Sequence, residues 1–527
     1  MAMMHAEERV STQTRDEPAG GFVSLLFPDP DVAVAEPAQP DCFADLHLDQ
    51  IVAAATKNRE DYELSGFYYQ PLQDAEQVRY RQDIVDDLSL RPVRDAVTAF
   101  AEQMVVMRRY LRVAQQSHHG LTTQRWFLEA TVVYRDAAQA FGAALAATSP
   151  QSAGLAAFSR HVSDLLRSAE FERFASDSGA VHEEIGGLEY SITIKGARVQ
   201  VDRYDQEAEL APLVEETFAR FAQGDARQYD WRVKDLPGLN HVEQQILDCV
   251  ARLFPDEFER LKQYCARHAK AFDDGLMRFD REVQFYLGYL EFIEPLIANG
   301  LEFARVQIGD RGSAFAEAAF DLSLAAKLSS EQHTPVTNDF RLDDPERVLV
   351  VTGPNQGGKT TFARMIGQIY FLAGLGLPVS AARATLSLPD RVFTHFEREE
   401  SLETLRGKFE DELVRIHEIL EAATDRSMLV MNESFGSTTL ADGLLVGSEI
   451  VRQIIDSGAL CVFVSFIDEL ASLGPETVSM MSTVVAEDPS QRTFKIERKP
   501  ADGLAYAAAL ASKYRLGYEQ LKGRIAS

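Results

Sequence analysis

The chain has 527 residues, a formal net charge of −28 and a pI near 4.8. That balance excludes a surface that is basic overall, so any contact with nucleic acid has to come from a local patch. The four cysteines, Cys42, Cys249, Cys265 and Cys461, form no C-x-x-C pair, which argues against a disulfide scaffold or zinc ribbon and for a reducing, cytoplasmic setting.

At roughly 150 residues per domain the length predicts about two to four domains. Residues 1–40 read as a flexible tail, polar, acidic and punctuated by Pro28, Pro30, Pro37 and Pro40, with no secretory leader. Within it the apolar piece Phe22 to Phe27 is a candidate to dock onto the folded body. Residues 41–330 carry mostly helical periodicity and are expected to form an α-helical core and lever domain. From Glu257 to Asn299 apolar positions recur every three or four residues, through Phe258, Leu261, Phe272, Leu276, Val283 and Leu290. This predicts one long arm, bent or ended at Pro295, reaching roughly 50 Å or more at about 1.5 Å per residue. Near 188–203, Leu188, Tyr190, Ile192 and Ile194 alternate before Lys195-Gly196, and Val199 and Val201 alternate after it, the pattern of a β-hairpin. Residues 331–527 alternate strand and helix: strands at Arg347–Thr352, Met428–Met431 and Leu460–Ser465, helices at Lys359–Leu375 and Leu440–Ser457. This texture predicts a mostly parallel sheet covered on both faces, in a second, α/β domain. The most apolar stretch, Ile366 to Val379, is too short for a bilayer span, which takes about 20 apolar residues, so no membrane partner is expected.

The sharpest signal is Gly353-Pro354-Asn355-Gln356-Gly357-Gly358-Lys359-Thr360, which fits G-x-x-x-x-G-K-[ST] between a strand and a helix. Glycines let backbone N–H groups turn around an anion, and the following helix N-terminus adds partial positive charge. Lys359 is placed to reach the β- and γ-phosphates of a nucleotide, and Thr360 to hold Mg²⁺. The strand Met428–Met431 runs into Asn432-Glu433, where Glu433 is a candidate to polarise water and Asn432 to touch the metal as a neutral oxygen.

These segments resemble the ATPase domain of the MutS family of mismatch-repair proteins, a branch of the ABC-type ATPases. The resemblance runs in order through TGPNQGGKTT (352–361), LPDRVFTHF (388–396), RGKFEDEL (406–413), LVMNESFGSTTLADGL (429–444), CVFVSFIDEL (461–470) and FKIERKPADGLAYAAALA (494–511). Upstream, YYQPLQDAEQVRYRQDIVDDL (68–88) and FYLGYLEFIEPLIANG (285–300) resemble the family's helical core and lever. The resemblance implies an ABC-type P-loop domain that uses ATP and Mg²⁺ and pairs head to tail with a second copy, giving a homodimer whose levers clamp DNA. It places Val336 and Asn338 near adenine, Gly353 to Thr361 around the phosphates, Lys359 and Glu433 at the chemistry, and Thr360 with Asn432 at the metal. Several positions depart from the family: Asn432 stands for its metal-binding Asp, Gly407 (beside Lys408) for its Ser that reaches the partner's nucleotide, Phe466 for its His, and Pro335 for its adenine-stacking aromatic. The acidic first 40 residues stand where the family's mismatch-reading domain precedes the core, so mismatch reading is not expected.

Weaker constellations read as structural. His118-His119 points two ways and Cys265 with His268 continues an apolar stripe. His395 lies between the phosphate loop helix and the Glu433 strand, Glu397, Glu399 and Glu400 read as a solvated loop, and Arg108, Arg109 and Arg112, or Lys195, Arg198 and Arg203, are modest basic groups. Two functions are carried forward: a MutS-like, DNA-dependent ATPase clamp, and a nucleotide-gated interaction scaffold with little hydrolysis and no DNA reading.

Overall fold

The computed structural model describes residues 24–28, 38–196, 198–205, 241–310, 313–397, 407–433, 435, 438–485 and 488–501. The expected tail outside 24–28 and 38–40, the acidic loop Glu399-Glu400, Arg406, and the motif beyond Ala501 lie outside these residues, as does the Lys408 side chain. The protein is rich in helix with mixed α/β sheets, and its described residues divide into two compact units, one within Pro92–Arg278 and the other within Leu25–Arg91 and Phe279–Ala501.

In the larger unit the described residues begin with Leu25 to Pro28, of which Leu25, Leu26 and Phe27 are buried. The apolar piece docks as its composition invites. Leu25 N–H donates to Glu282 Oε2 at 2.6 Å, Tyr286 OH donates to Leu25 O at 2.8 Å and Arg81 Nε donates to Leu26 O at 2.9 Å. Short helices α1 (Cys42–Leu46), α2 (Leu48–Ala55) and α3 (Ser65–Tyr68) lead to α4 (Ala75–Ser89), whose Asp74 cap accepts from two first-turn N–H groups.

The smaller unit holds α5 (Arg91–Gln116), α6 (Gly120–Thr148), α7 (Ala153–Leu166), α8 (Ala169–Gly186), the hairpin β1 (Tyr190–Lys195) and β2 (Arg198–Arg203), α9 (His241–Leu253) and α10 (Pro255–Arg267). The hairpin register pairs Ile192 with Val201 and Ile194 with Val199, about the predicted turn. One face therefore carries Tyr190, Ile192, Ile194 and Val199, all substantially exposed.

The predicted single arm is two helices. α10 ends at Arg267 and α11 runs Asp274–Ala298, with a break between them. The apolar spacing continues across the break, which is why the sequence reads as unbroken. Asp273 interrupts it: its carboxylate accepts from Leu276 N–H at 2.8 Å, as a cap does, and from His161 at 2.7 Å. Pro295 lies inside α11, three residues before its end.

Two sheets follow. The smaller has the order β3-β7-β4-β5, from β3 (Gln307–Ile308), β4 (Ser313–Ala319), β5 (Asn338–Asp343) and β7 (Arg383–Leu386), with α12 (Leu322–Ser329) between β4 and β5. Its short strands have no counterpart among the strands expected from the sequence. The larger has the order β12-β11-β6-β10-β9-β8, from β6 (Val348–Thr352), β8 (Val392–Phe396), β9 (Met428–Asn432), β10 (Leu460–Val464), β11 (Thr477–Val485) and β12 (Asp488–Arg498). All its pairings are parallel except β11 with β12. Helices α13 (Lys359–Gly374), α14 (Lys408–Ala422) and α15 (Leu440–Ser457) belong to this sheet. On one face Val348, Val350, Leu429, Met431, Cys461 and Phe463 pack with Ile416 of α14 and Ile450, Val451 and Ile454 of α15. Alternation turns Leu349, Val351, Val430 and Val462 to the other face, and all four are buried, so the central strands read as unbroken apolar runs.

Candidate nucleotide site

The loop from Gly353 to Gly358 joins β6 to α13 at the C-terminal edge of the parallel strands. Three of its residues take left-handed backbone: Gly353 (φ 111°), Gln356 (φ 60°) and Gly358 (φ 93°). Two glycines are also demanded by space. A Cβ on Gly357 would lie 2.2 Å from Ser482 Oγ, and one on Gly353 about 3.0 Å from the Ser482 backbone. Ser482 Oγ donates to Gly357 O at 2.7 Å, so strand β11 is the bed on which the loop rests.

Gly358 caps α13 and has no side chain with which to bond the first turn. A helix of sixteen residues thus starts without a side chain from its N-cap residue over its N-terminal N–H groups and dipole, an arrangement that suits an anion. Thr360 and Thr361 are partly buried in that turn. Lys359 is almost fully buried, and its Nζ donates to Gly353 O at 2.9 Å, Pro354 O at 3.2 Å and Asn355 Oδ1 at 3.4 Å. Burial pushes its ammonium below the ordinary lysine range, the Glu433 carboxylate pulls it back up, and Arg492 adds to the depression.

Asn432 ends β9 between Phe396 and Val464 on the flanking strands. It is 6% exposed, and its Oδ1 is buried without a hydrogen-bond partner. Glu433 follows with left-handed backbone (φ 54°), its N–H donating to Val464 O at 3.1 Å. Asn338 is buried and bridges the sheets: its Nδ2 donates to Phe494 O at 3.1 Å and its Oδ1 accepts from Ile496 N–H at 2.7 Å. Val336, two residues earlier, is 40% exposed.

Other sequence candidates have structural partners. His119 caps α6 and meets Asp248 at 3.0 Å, His268 meets Asp177 at 2.9 Å, and Cys265 Sγ lies 3.7 Å from Gln124 O. Arg203 stacks over Phe254. Among the described residues no group of three or more His, Cys, Asp or Glu is arranged to hold a metal ion.

Sequence reasoning missed three residues at this site. Ser482 supports the loop, Arg492 Nε donates to Asn355 O at 3.2 Å, and Phe494 lies with its backbone near Gly358, its side chain half exposed and its φ at 59°. All three come from the antiparallel pair β11 and β12, whose polar alternation carries no phosphate-binding pattern.

Residues 349–509, which contain this loop and strand end, match the family model for MutS domain V. This region of the chain is thus similar to MutS domain V. Endonuclease MutS2 of Thermus thermophilus is 30% identical over 189 residues, which is 36% of this chain and 25% of that relative. The match thus spans about a quarter of the curated relative's length. The departures noted in the sequence have visible settings: Gly407 is exposed at the start of α14, Phe466 is 49% exposed beside buried Ser465, and Pro335 is buried. Among the described residues no helix is long and apolar enough to cross a membrane.

Proposed function

We propose that this chain is a MutS-family protein that binds and hydrolyses ATP in an ABC-type site, as a homodimer that couples nucleotide state to a clamp on DNA. The observation that carries the reading is the N-terminus of α13, opened by left-handed Gly358 and flanked by buried Lys359 and by Glu433. The loop N–H groups and Lys359 hold the triphosphate. Val336 and Asn338 lie on the adenine side, Asn338 by fixing the Phe494 and Ile496 backbone.

The available donors fit Mg²⁺: the Thr360 hydroxyl and the unpartnered Asn432 Oδ1 are hard, neutral oxygens of the kind that ion accepts, directly or through water. When bound, the ion would neutralise charge on the phosphate oxygens. Glu433 takes the proton of the attacking water, and Lys359 stabilises the charge that develops on phosphate. A neutral amide at 432 in place of a carboxylate predicts weaker metal affinity and slow turnover.

Lys359→Ala is expected to abolish ATP binding in equilibrium titration. Glu433→Gln is expected to keep binding and lose turnover; unchanged turnover removes Glu433 from the chemistry. The second reading, a nucleotide-gated scaffold with little hydrolysis and no DNA function, is favoured by the net charge of −28 and by Asn432. Retention on branched or mismatched duplex DNA at low salt with ATP and Mg²⁺ supports the clamp, and its absence supports the scaffold. Sedimentation with and without nucleotide tests the homodimer.

A further inference from the structure

The turn after β9 adopts a backbone that its residues do not favour. Glu433 (φ 54°) and Phe435 (φ 70°) both occupy the left-handed region, where a side chain crowds the backbone. Such a turn persists only where its surroundings hold it. Glu433 N–H is tied to Val464 O at 3.1 Å. Phe435 is 1% exposed, its ring meets Phe409 edge-on at 6.3 Å, and it packs beside Gly443 and Gly447 of α15.

The third tie comes from a different helix. Phe435 N–H donates to Glu412 Oε1 at 2.9 Å, in a buried contact across 23 residues of chain. Glu412, on the second turn of α14, is 9% exposed. The same oxygen faces His395 Nε2 at 3.4 Å, and His395, on β8, is 1% exposed. Burial holds the imidazole below its ordinary range against the pull of Glu412, and its Nδ1 is buried without a partner. A carboxylate buried on a helix, aimed at a strained turn and met by a buried imidazole, needs more explanation than solvent exposure or chance packing supplies.

We propose that Glu412 is a positioning residue for ATP hydrolysis: its carboxylate, oriented by His395, fixes the Phe435 N–H and thereby the turn that aims Glu433. This rests on the reading that Glu433 activates water. It links α14 to the hydrolytic carboxylate through one hydrogen bond, so a displacement of α14 would swing Glu433 without touching the phosphate loop.

The test compares the full-length protein with Glu412→Ala and Glu412→Gln, the second of which keeps a carbonyl acceptor. Glu412→Met, matched in volume, replaces the alanine variant if that one does not fold. Removal of the acceptor is expected to lower kcat about tenfold or more, as misplacing a reacting group does, with the ATP dissociation constant within about twofold. Glu412→Gln is expected to recover most of the rate. Combining Glu412→Ala with Glu433→Gln is expected to add no further loss, since both act through one group. Amide exchange of the 428–438 peptide is expected to quicken in Glu412→Ala and not in Glu412→Gln. Unchanged exchange, or a rise in KM with kcat unchanged, overturns the proposal. Absent turnover in the unsubstituted protein overturns the hydrolytic reading instead, and the exchange comparison then still decides whether Glu412 holds the turn.

Discussion

At the scale of single residues, the most demanding positions are those where charge or backbone is held against its preference. Arg81 is fully buried, with its guanidinium donating to the carbonyls of Leu26 and Leu375 and lying against the Phe27 and Phe285 rings. Burial lowers its pKa to about 10. Arg81→Ala strands two buried carbonyls, at about 1–3 kcal/mol each, and is expected to lower the urea midpoint sharply with little change in slope. Gly357→Ala forces Cβ against Ser482 Oγ and is expected to weaken ATP binding while leaving the fold intact, as read by titration and circular dichroism. The glycines and Lys359 were legible in the sequence because their spacing is local. Glu412 was not: a glutamate on a charged helix start looks solvated, and only the long-range contact with Phe435 gives it a task.

At the scale of elements, period and length were enough to find the central strands and the helices after them, because parallel strands buried on both faces are continuous apolar runs. The small sheet escaped notice because its strands are short and rich in alanine, as in Ser313–Ala319. The break before α11 escaped because Asp273 caps inside an apolar rhythm. That cap also makes the helical unit sensitive to pH. The hydrogen bond that His161 donates to the Asp273 carboxylate raises the His161 pKa above its ordinary value of 6.5. Burial raises the Asp273 pKa, but His161 and the Leu276 N–H outweigh it and leave it below 3.8. The histidine contribution is full below about 6.5 and fades as pH rises through the folded value; the aspartate contribution is full above about 3.8 and fades as pH falls through its folded value. Asp273→Asn is expected to flatten the dependence of Tm on pH between about 6 and 8. Packing between elements is tight elsewhere too: a Cβ on Gly288 of α11 would sit 2.2 Å from Ala55 O of α2. Gly288→Ala is expected to cost about 1–3 kcal/mol in chemical unfolding, as overpacking does.

For the whole molecule, acidity is the governing fact. With a net charge of −28, attraction to DNA phosphates has to be local and opposed by the long-range field of the chain. If the clamp reading holds, retention is expected to fall steeply, by about 10³-fold or more between 50 and 200 mM salt if six or more phosphates are contacted. A flat response points to the scaffold.

The buried strip Leu25–Phe27 has a practical corollary for anyone who expresses this protein. Composition invites a start at Asp41, just past the prolines. Such a start deletes the plug over Arg81, Glu282 and Tyr286, and leaves a cation, an anion and a phenol lining an open slot. The shortened product should precipitate on purification, whereas one beginning at Ser24 should stay in the supernatant.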